Sequence, residues 1–326
     1  MLRIGVAGCG RVALVHLTRL VSGGDVEVVG LADLDRPAAR ALGAAVPTAS
    51  SALVFSDHNE MLAQVSPEAV AIFAPHRAHY RLAMDALQAG CHVFIEKPLS
   101  TNAQEASDII GLAKGRGRTV GVGHHYRLQP SLIEARKRLL LKEIGPIRMV
   151  SATLSVPWLA RHQEEGDAWR LDPRLSGGGI LADVGAHILD ALLWSTGQAA
   201  AEVAAFQTRH APGLDVVTTA VILLADGTPA TLAVSGVCAS SLFEITFFGE
   251  LGRLRVGDSS LAVAWGDGPE EPLALAPSTQ TIDGDFVAAL AAGRPPCCPA
   301  DEAIDTVRLL EAIARSATSG EVVKLA

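Results

Sequence analysis

The chain has 326 residues, of which 49% are hydrophobic, 19% charged and only 4% aromatic, a balance that excludes a disordered protein and allows two domain-sized cores. Its 27 Lys and Arg against 35 Asp and Glu leave a net charge of -8 with no basic stripe to offset it, so nucleic acid is not an expected partner. The five cysteines lack C-x-x-C spacing and no apolar run reaches the ~18 residues of a membrane span, which argues against a disulfide framework, a metal site and a membrane partner.

Met1 leads directly into a strand-like segment, residues 2–6, without the pattern of a secretory leader, and a cytoplasmic location is expected. Short apolar runs at 26–31, 69–74, 91–95 and 119–122 read as further buried strands. Segments of helical composition at 38–42, 80–89 and 103–114 separate them, and this alternation predicts an α/β domain with a doubly wound parallel sheet over residues 1–123.

Residues 124–326 are expected to form a second, α+β domain. After Pro130 the chain reads as a helix to about Lys142, a polar loop containing Trp158 and Trp169, a glycine-rich start and a helix over 181–194. Strand-like runs follow at 218–224, 230–235, 243–248 and 253–256, with turn signals at Asp226-Gly227 and Gly249. No helices intervene, which predicts a large open sheet of mixed or antiparallel strands before a final helix over 301–316.

Three constellations carry chemistry. Gly8, Cys9, Gly10, Arg11, Val12 and Ala13 form a G-x-G-x-x-A fingerprint between the first strand and its helix. Gly8 permits a tight turn, Gly10 lets the backbone reach a pyrophosphate, and Ala13 keeps helix and sheet close. The same residues could make a strand-to-helix turn and nothing more, but Asp33 stands 20 residues beyond Ala13, where an acid accepts hydrogen bonds from a ribose. Its charge opposes a 2′-phosphate and favours NAD over NADP, while Arg11 and Arg36 keep NADP as the alternative.

The second is Glu96-Lys97-Pro98 at the end of a strand, the edge where open parallel sheets bind ligands. A lysine there suits a substrate oxygen that gains negative charge, although the tripeptide alone also reads as a solvated Glu and Lys before a proline turn. The third runs from Gly177 to Asp190 and contains Asp183 and His187, four residues apart and hence on one helix face. A carboxylate-oriented imidazole is a general base for a hydroxyl proton; a capping Asp beside a satisfied, partly buried His fits the same pattern.

Together with Leu31-Ala32-Asp33, the run ending in Ala74-Pro75 with His79, and the pair Tyr126-Arg127, these segments resemble the glucose-fructose oxidoreductase, inositol dehydrogenase and rhizopine-catabolism family, Gfo/Idh/MocA, over nearly the whole chain. The resemblance implies an N-terminal Rossmann domain and a C-terminal sheet domain that often mediates oligomerisation, here as a homodimer or homotetramer. It implies Lys97, Asp183 and His187 as catalytic and substrate-binding residues. Ala74, Pro75, His79 and Glu96 would serve the cofactor, and His125, Tyr126, Arg127, Trp169 and Arg170 the substrate. The Lys97-Pro98 peptide is a candidate for the cis form. The expected reaction is hydride transfer between NAD and a hydroxyl carbon of a sugar, polyol or inositol-like compound. An NAD-assisted glycoside hydrolase and a non-catalytic NAD-binding regulator are the alternatives.

Overall fold

A computed structural model describes residues 1–166 and 168–325. The chain forms two compact units, Met1–His124 with Gln280–Ile304, and His125–Thr279 with the chain from Asp305 onward.

The first unit alternates strand and helix: β1 (Leu2–Ala7), α1 (Arg11–Ser22), β2 (Val26–Ala32), α2 (Arg36–Ala45), β3 (Leu53–Phe55), α3 (His58–Val65), β4 (Ala69–Ile72), α4 (His79–Gln88), β5 (His92–Ile95), α5 (Ala103–Arg116) and β6 (Val120–Val122). The strands are parallel in the order β3-β2-β1-β4-β5-β6, a doubly wound sheet whose chain reverses direction beside β1. Every residue of β4 is buried, as a central strand covered on both faces requires. Capping sets the helix ends. Asn102 accepts a hydrogen bond from the Glu105 N–H at the start of α5, and Gly117, at φ +61°, ends it.

The second unit begins with α6 (Pro130–Leu140), β7 (Ile147–Ser155), α7 (Trp158–Glu165) and α8 (Pro173–Ser176). A five-residue π-helical turn, Leu181–Gly185, runs into α9 (Ala186–Thr196). There follow β8 (Ala200–Ala211), β9 (Leu214–Leu224), β10 (Pro229–Ser235), β11 (Leu242–Gly249), β12 (Gly252–Gly257), β13 (Leu261–Trp265) and β14 (Glu271–Pro272). One face of this sheet and α9 share a core that includes Ile188, Leu192, Val150, Leu154, Leu232 and Ile245. The alternating burial along β9 leaves Val221 and Leu223 on the other face.

The chain then returns to the first unit. α10 (Ile282–Ala292) sets Phe286 against Phe94, with ring centroids 5.5 Å apart, and the Val122 N–H donates to the Cys298 carbonyl at 2.9 Å. Residues 280–304, expected from sequence in the second domain, therefore belong to the first, because their apolar side chains complete its core. α11 (Ala300–Ser319) and β15 (Val323–Lys324) finish the chain. The second sheet has nine strands in the order β14-β13-β12-β11-β7-β10-β9-β8-β15. It is mixed: β7 and β10 are parallel and the other pairs antiparallel.

Two further expectations change. The segment around Trp158, read as loop, starts helix α7, and β7, which the sequence reading passed over, lies between β11 and β10.

Candidate active site

In the first unit, β1 delivers the glycine turn. Gly8 has φ +92°, and a Cβ there would lie 2.6 Å from the Phe73 carbonyl carbon and 2.7 Å from the Ala74 nitrogen, so only glycine lets the turn pass the end of β4. Gly10 is the N-cap of α1 and makes no side-chain cap, and a Cβ built on it meets no atom within 4 Å. Open space therefore faces the N-terminus of α1, and this cradle fits a pyrophosphate. Arg11 is exposed there, Val12 half-buried, and Ala13 fully buried against the sheet.

Asp33, at the end of β2, accepts the Cys9 N–H at 2.7 Å on one carboxylate oxygen and the Asp35 N–H at 2.8 Å on the other. The carboxylate thus sits beside the glycine turn, as a ribose acceptor must. Burial, and secondarily the charge of Asp33, pushes the Cys9 thiol up to about 12, which keeps it neutral. The Arg36 guanidinium donates to the Val54 carbonyl at 3.2 Å.

His79 is fully buried, with Nδ1 2.8 Å from the Pro98 carbonyl and Nε2 2.9 Å from the Ala74 carbonyl. Its pKa is lowered by burial, against the pull of these two carbonyls. The ring straps the loop after β4, which carries Ala74 and Pro75, to the turn after β5. In that turn the Lys97-Pro98 peptide is cis, and Lys97 is 8% exposed. Glu96, anchored by its N–H to the Ile72 carbonyl at 3.0 Å, places Oε1 3.1 Å from Nε2 of His16.

In the second unit the three glycines fold against β9. A Cβ on Gly179 would collide with the Asp215 backbone. The buried Asp215 carboxylate accepts the Gly179 N–H at 2.8 Å, the Leu181 N–H at 3.0 Å and the Thr218 hydroxyl at 3.2 Å, which pins the start of the π turn. Single π turns inside helices concentrate at functional sites, and this one carries Asp183. Asp183 is 5% exposed; its Oδ2 accepts the Trp158 indole N–H at 2.8 Å and the Arg170 Nε–H at 3.1 Å, with His162 Nε2 3.9 Å away. Two donors, one of them cationic, hold the carboxylate in place.

His187 opens α9 and is 7% exposed, its ring centroid 4.6 Å from that of His125 and 5.1 Å from that of Tyr126. Tyr126 stacks on Phe243 at 4.6 Å; burial, then the charge of Asp258, pushes its phenol up to about 12, so it stays protonated. The structure thus gathers His125, Tyr126 and His187 in one cluster, and Trp158, Arg170 and Asp183 in contact on the same unit. Trp169 stacks under Arg170, whose guanidinium carbon is 4.2 Å from the ring centroid.

Arg127, inferred as a substrate residue, is placed beside this cluster in the chain but pairs with α9. It is buried and makes a two-point ion pair with Asp190, at 2.9 and 2.8 Å, so its guanidinium braces the turn after β6 against α9. Sequence reasoning also missed Asp215 and His16. A carboxylate within the apolar run of β9 and a histidine on the buried stripe Ala13, Leu17, Leu20 of α1 were the available signals.

A doubly wound sheet with a glycine cradle and an acid at the end of its second strand defines a dinucleotide-binding fold. Residues 2–124 match the family described as oxidoreductase family, NAD-binding Rossmann fold (GFO_IDH_MocA), and residues 132–255 match the GFO/IDH/MocA C-terminal domain. The chain belongs to the Gfo/Idh/MocA family of NAD-binding oxidoreductases. It is 32% identical over 197 residues to D-glucoside 3-dehydrogenase of Escherichia coli (strain K12), a match covering 60% of this chain and 54% of that relative, so the aligned part spans about half of the relative's length. An uncharacterized oxidoreductase of Rhizobium meliloti, ORF334, is 27% identical over 337 residues, 98% of each chain. Among solved structures, the WlbA dehydrogenase from Bordetella pertussis in complex with NADH and UDP-GlcNAcA superposes with a TM-score of 0.86 at 26% identity, over 100% of this chain and 99% of that one.

Proposed function

We propose that the protein is a dehydrogenase that oxidises, reversibly, a hydroxyl carbon of a sugar, polyol or inositol-like substrate, with NAD as the preferred cofactor. The observation that carries this reading is the immobilised Asp183 carboxylate one turn before the buried His187, on a π turn pinned by Asp215. Bound NAD supplies the hydride acceptor. His187 takes the proton of the substrate hydroxyl, and its contacts with His125 and Tyr126 fix the ring plane for that transfer. Asp183 holds the substrate and the imidazole in register, its own position set by Trp158 and Arg170. Lys97 donates to the oxygen as negative charge grows on it. Asp33 binds the adenosine ribose and opposes a 2′-phosphate, a preference supported by the engagement of Arg36 with the Val54 carbonyl.

The names of the relatives support the substrate class, since they include dehydrogenases of a glucoside, of inositol and of UDP-N-acetylglucosamine. The test is incubation of the protein and NAD with a panel of aldoses, polyols and inositols while nicotinamide absorbance is followed. Net reduction with at least one member supports the reading. Release of a chromogenic aglycone without net reduction would instead support an NAD-assisted hydrolase, and binding of NAD without either reaction a regulator.

A further inference from the structure

His16 lies on the face of α1 that packs on the sheet, among Ala13, Leu17 and Leu20, where hydrophobic packing alone would ask for another aliphatic residue. Its ring is buried, stacked on Phe73 with centroids 4.9 Å apart and tilted against Phe94 at 5.8 Å. Both nitrogens face carboxylates. Nδ1 is 2.5 Å from Oδ1 of the fully buried Asp283 on α10, and Nε2 is 3.1 Å from Oε1 of Glu96 after β5. From α1 itself, Arg19 reaches within 3.9 Å of the other Asp283 oxygen. Glu96 in turn presses on Gly123, where a Cβ would collide with its carboxylate.

A neutral imidazole has one N–H and would turn a lone pair toward one of the two carboxylates; only the imidazolium donates to both. Burial opposes that charge, yet the hydrogen bonds and charges of Asp283 and Glu96 prevail and push the His16 pKa up to about 9. We propose that His16 is a positioning residue for the cofactor: by bridging Asp283 and Glu96 it holds the Glu96 carboxylate at the end of β5, ready to accept the ribose hydroxyls of a nicotinamide nucleotide. The inference rests on the NAD-dependent reading above. It gives the returning segment, residues 280–304, a function beyond packing, because Asp283 is the anchor from which the bridge is built.

The experiment is a fluorescence titration of the full chain with NADH across pH, alongside an NMR titration of the histidine rings. Wild type should bind NADH with an affinity that falls as pH rises through about 9, where the His16 ring should titrate. His16→Gln should weaken binding roughly tenfold, the worth of about one charge-assisted hydrogen bond, and flatten the pH dependence. Adding Glu96→Gln to it should cost little more, since the two residues act as a unit. Asp283→Asn keeps His16 and Glu96 and is the milder variant; it should lower both the ring titration and the pH at which binding weakens. Failure of wild type to bind NADH would overturn the cofactor reading and this inference with it. Normal binding by wild type but unchanged affinity in folded His16→Gln, or a His16 ring that titrates at or below the ordinary histidine value of about 6.5, would overturn this inference alone.

Discussion

Among single residues, the proposed chemistry is divided between groups whose surroundings differ. Asp33 is committed to backbone N–H donors through both oxygens, so its charge is fixed beside the glycine turn. Asp33→Ser is expected to weaken NAD binding and to narrow the advantage of NAD over NADP, because the ribose acceptor and the repulsion of a 2′-phosphate vanish together. Binding titrations with the two nucleotides check this, and a wild-type protein that prefers NADP would contradict it. Lys97→Ala is expected to slow hydride transfer through lost stabilisation of the developing oxyanion, by roughly 10²- to 10³-fold, while leaving intact the pH limb that belongs to His187. Rate measurements across pH distinguish this from loss of a base, which would remove that limb. The glycine fingerprint, Asp33, Lys97, Asp183 and His187 could be proposed from sequence because each is a short local pattern. The ion pair of Arg127 with Asp190 could not, since the partners stand 63 residues apart.

Among the elements, the π turn before α9 is the part on which the chemistry proposed for the second unit depends. Its start is held by the Asp215 carboxylate, 36 residues after Gly179, and by a backbone contact so close that only glycine is accommodated. Gly179→Ala is expected to destabilise the protein by about 1–3 kcal/mol, as an extra methyl forced into a packed site does, and to lower turnover as Asp183 and His187 shift. Asp215→Asn should cost roughly 1–3 kcal/mol, because an amide cannot accept from both the Gly179 and Leu181 N–H groups. Denaturant unfolding and turnover measured on the same preparations check both; a variant with wild-type stability and rate would remove Asp215 from the account. The sequence periodicity read 181–194 as one helix, and it could not show a π turn whose existence depends on β9. It likewise passed over β7, whose polar and apolar residues alternate as a half-buried strand requires but which makes its pairs with distant strands. The parallel strands β4 and β6, buried along their whole length, and β1, β2 and β5, buried over most of theirs, were readable because such burial makes them largely apolar runs.

At the scale of the whole molecule, the return of residues 280–304 to the first unit escaped a reading in chain order, because its determinants are contacts such as His16 with Asp283, 267 residues apart. That contact has a measurable consequence for stability. The folded-state pKa of His16 is raised to about 9 from 6.5, so the folded protein holds a proton that the unfolded chain has released between these values. Its contribution is therefore complete below about pH 6.5 and declines as pH rises to about 9. Thermal midpoints are expected to fall across that window in wild type and to fall less in His16→Gln; equal slopes would contradict the bridge. The outer face of the nine-stranded sheet leaves Phe206 78% exposed on β8 opposite Thr219, with Val221 and Leu223 further along the same face of β9, and we propose this face as the contact of a homodimer or homotetramer. Phe206→Glu should reduce the mass measured by light scattering, and an unchanged mass would place the contact elsewhere. The proposed removal of a hydroxyl proton by His187 while NAD is reduced is the step on which the other roles depend. Its most direct test is single-turnover reduction of bound NAD by the sugar, polyol and inositol panel, in wild type and His187→Ala. Substrate-dependent reduction is expected in wild type, and in the variant a rate lower by about 10²- to 10⁴-fold with NAD affinity retained. A variant that keeps the wild-type rate and pH dependence on a verified substrate would contradict it.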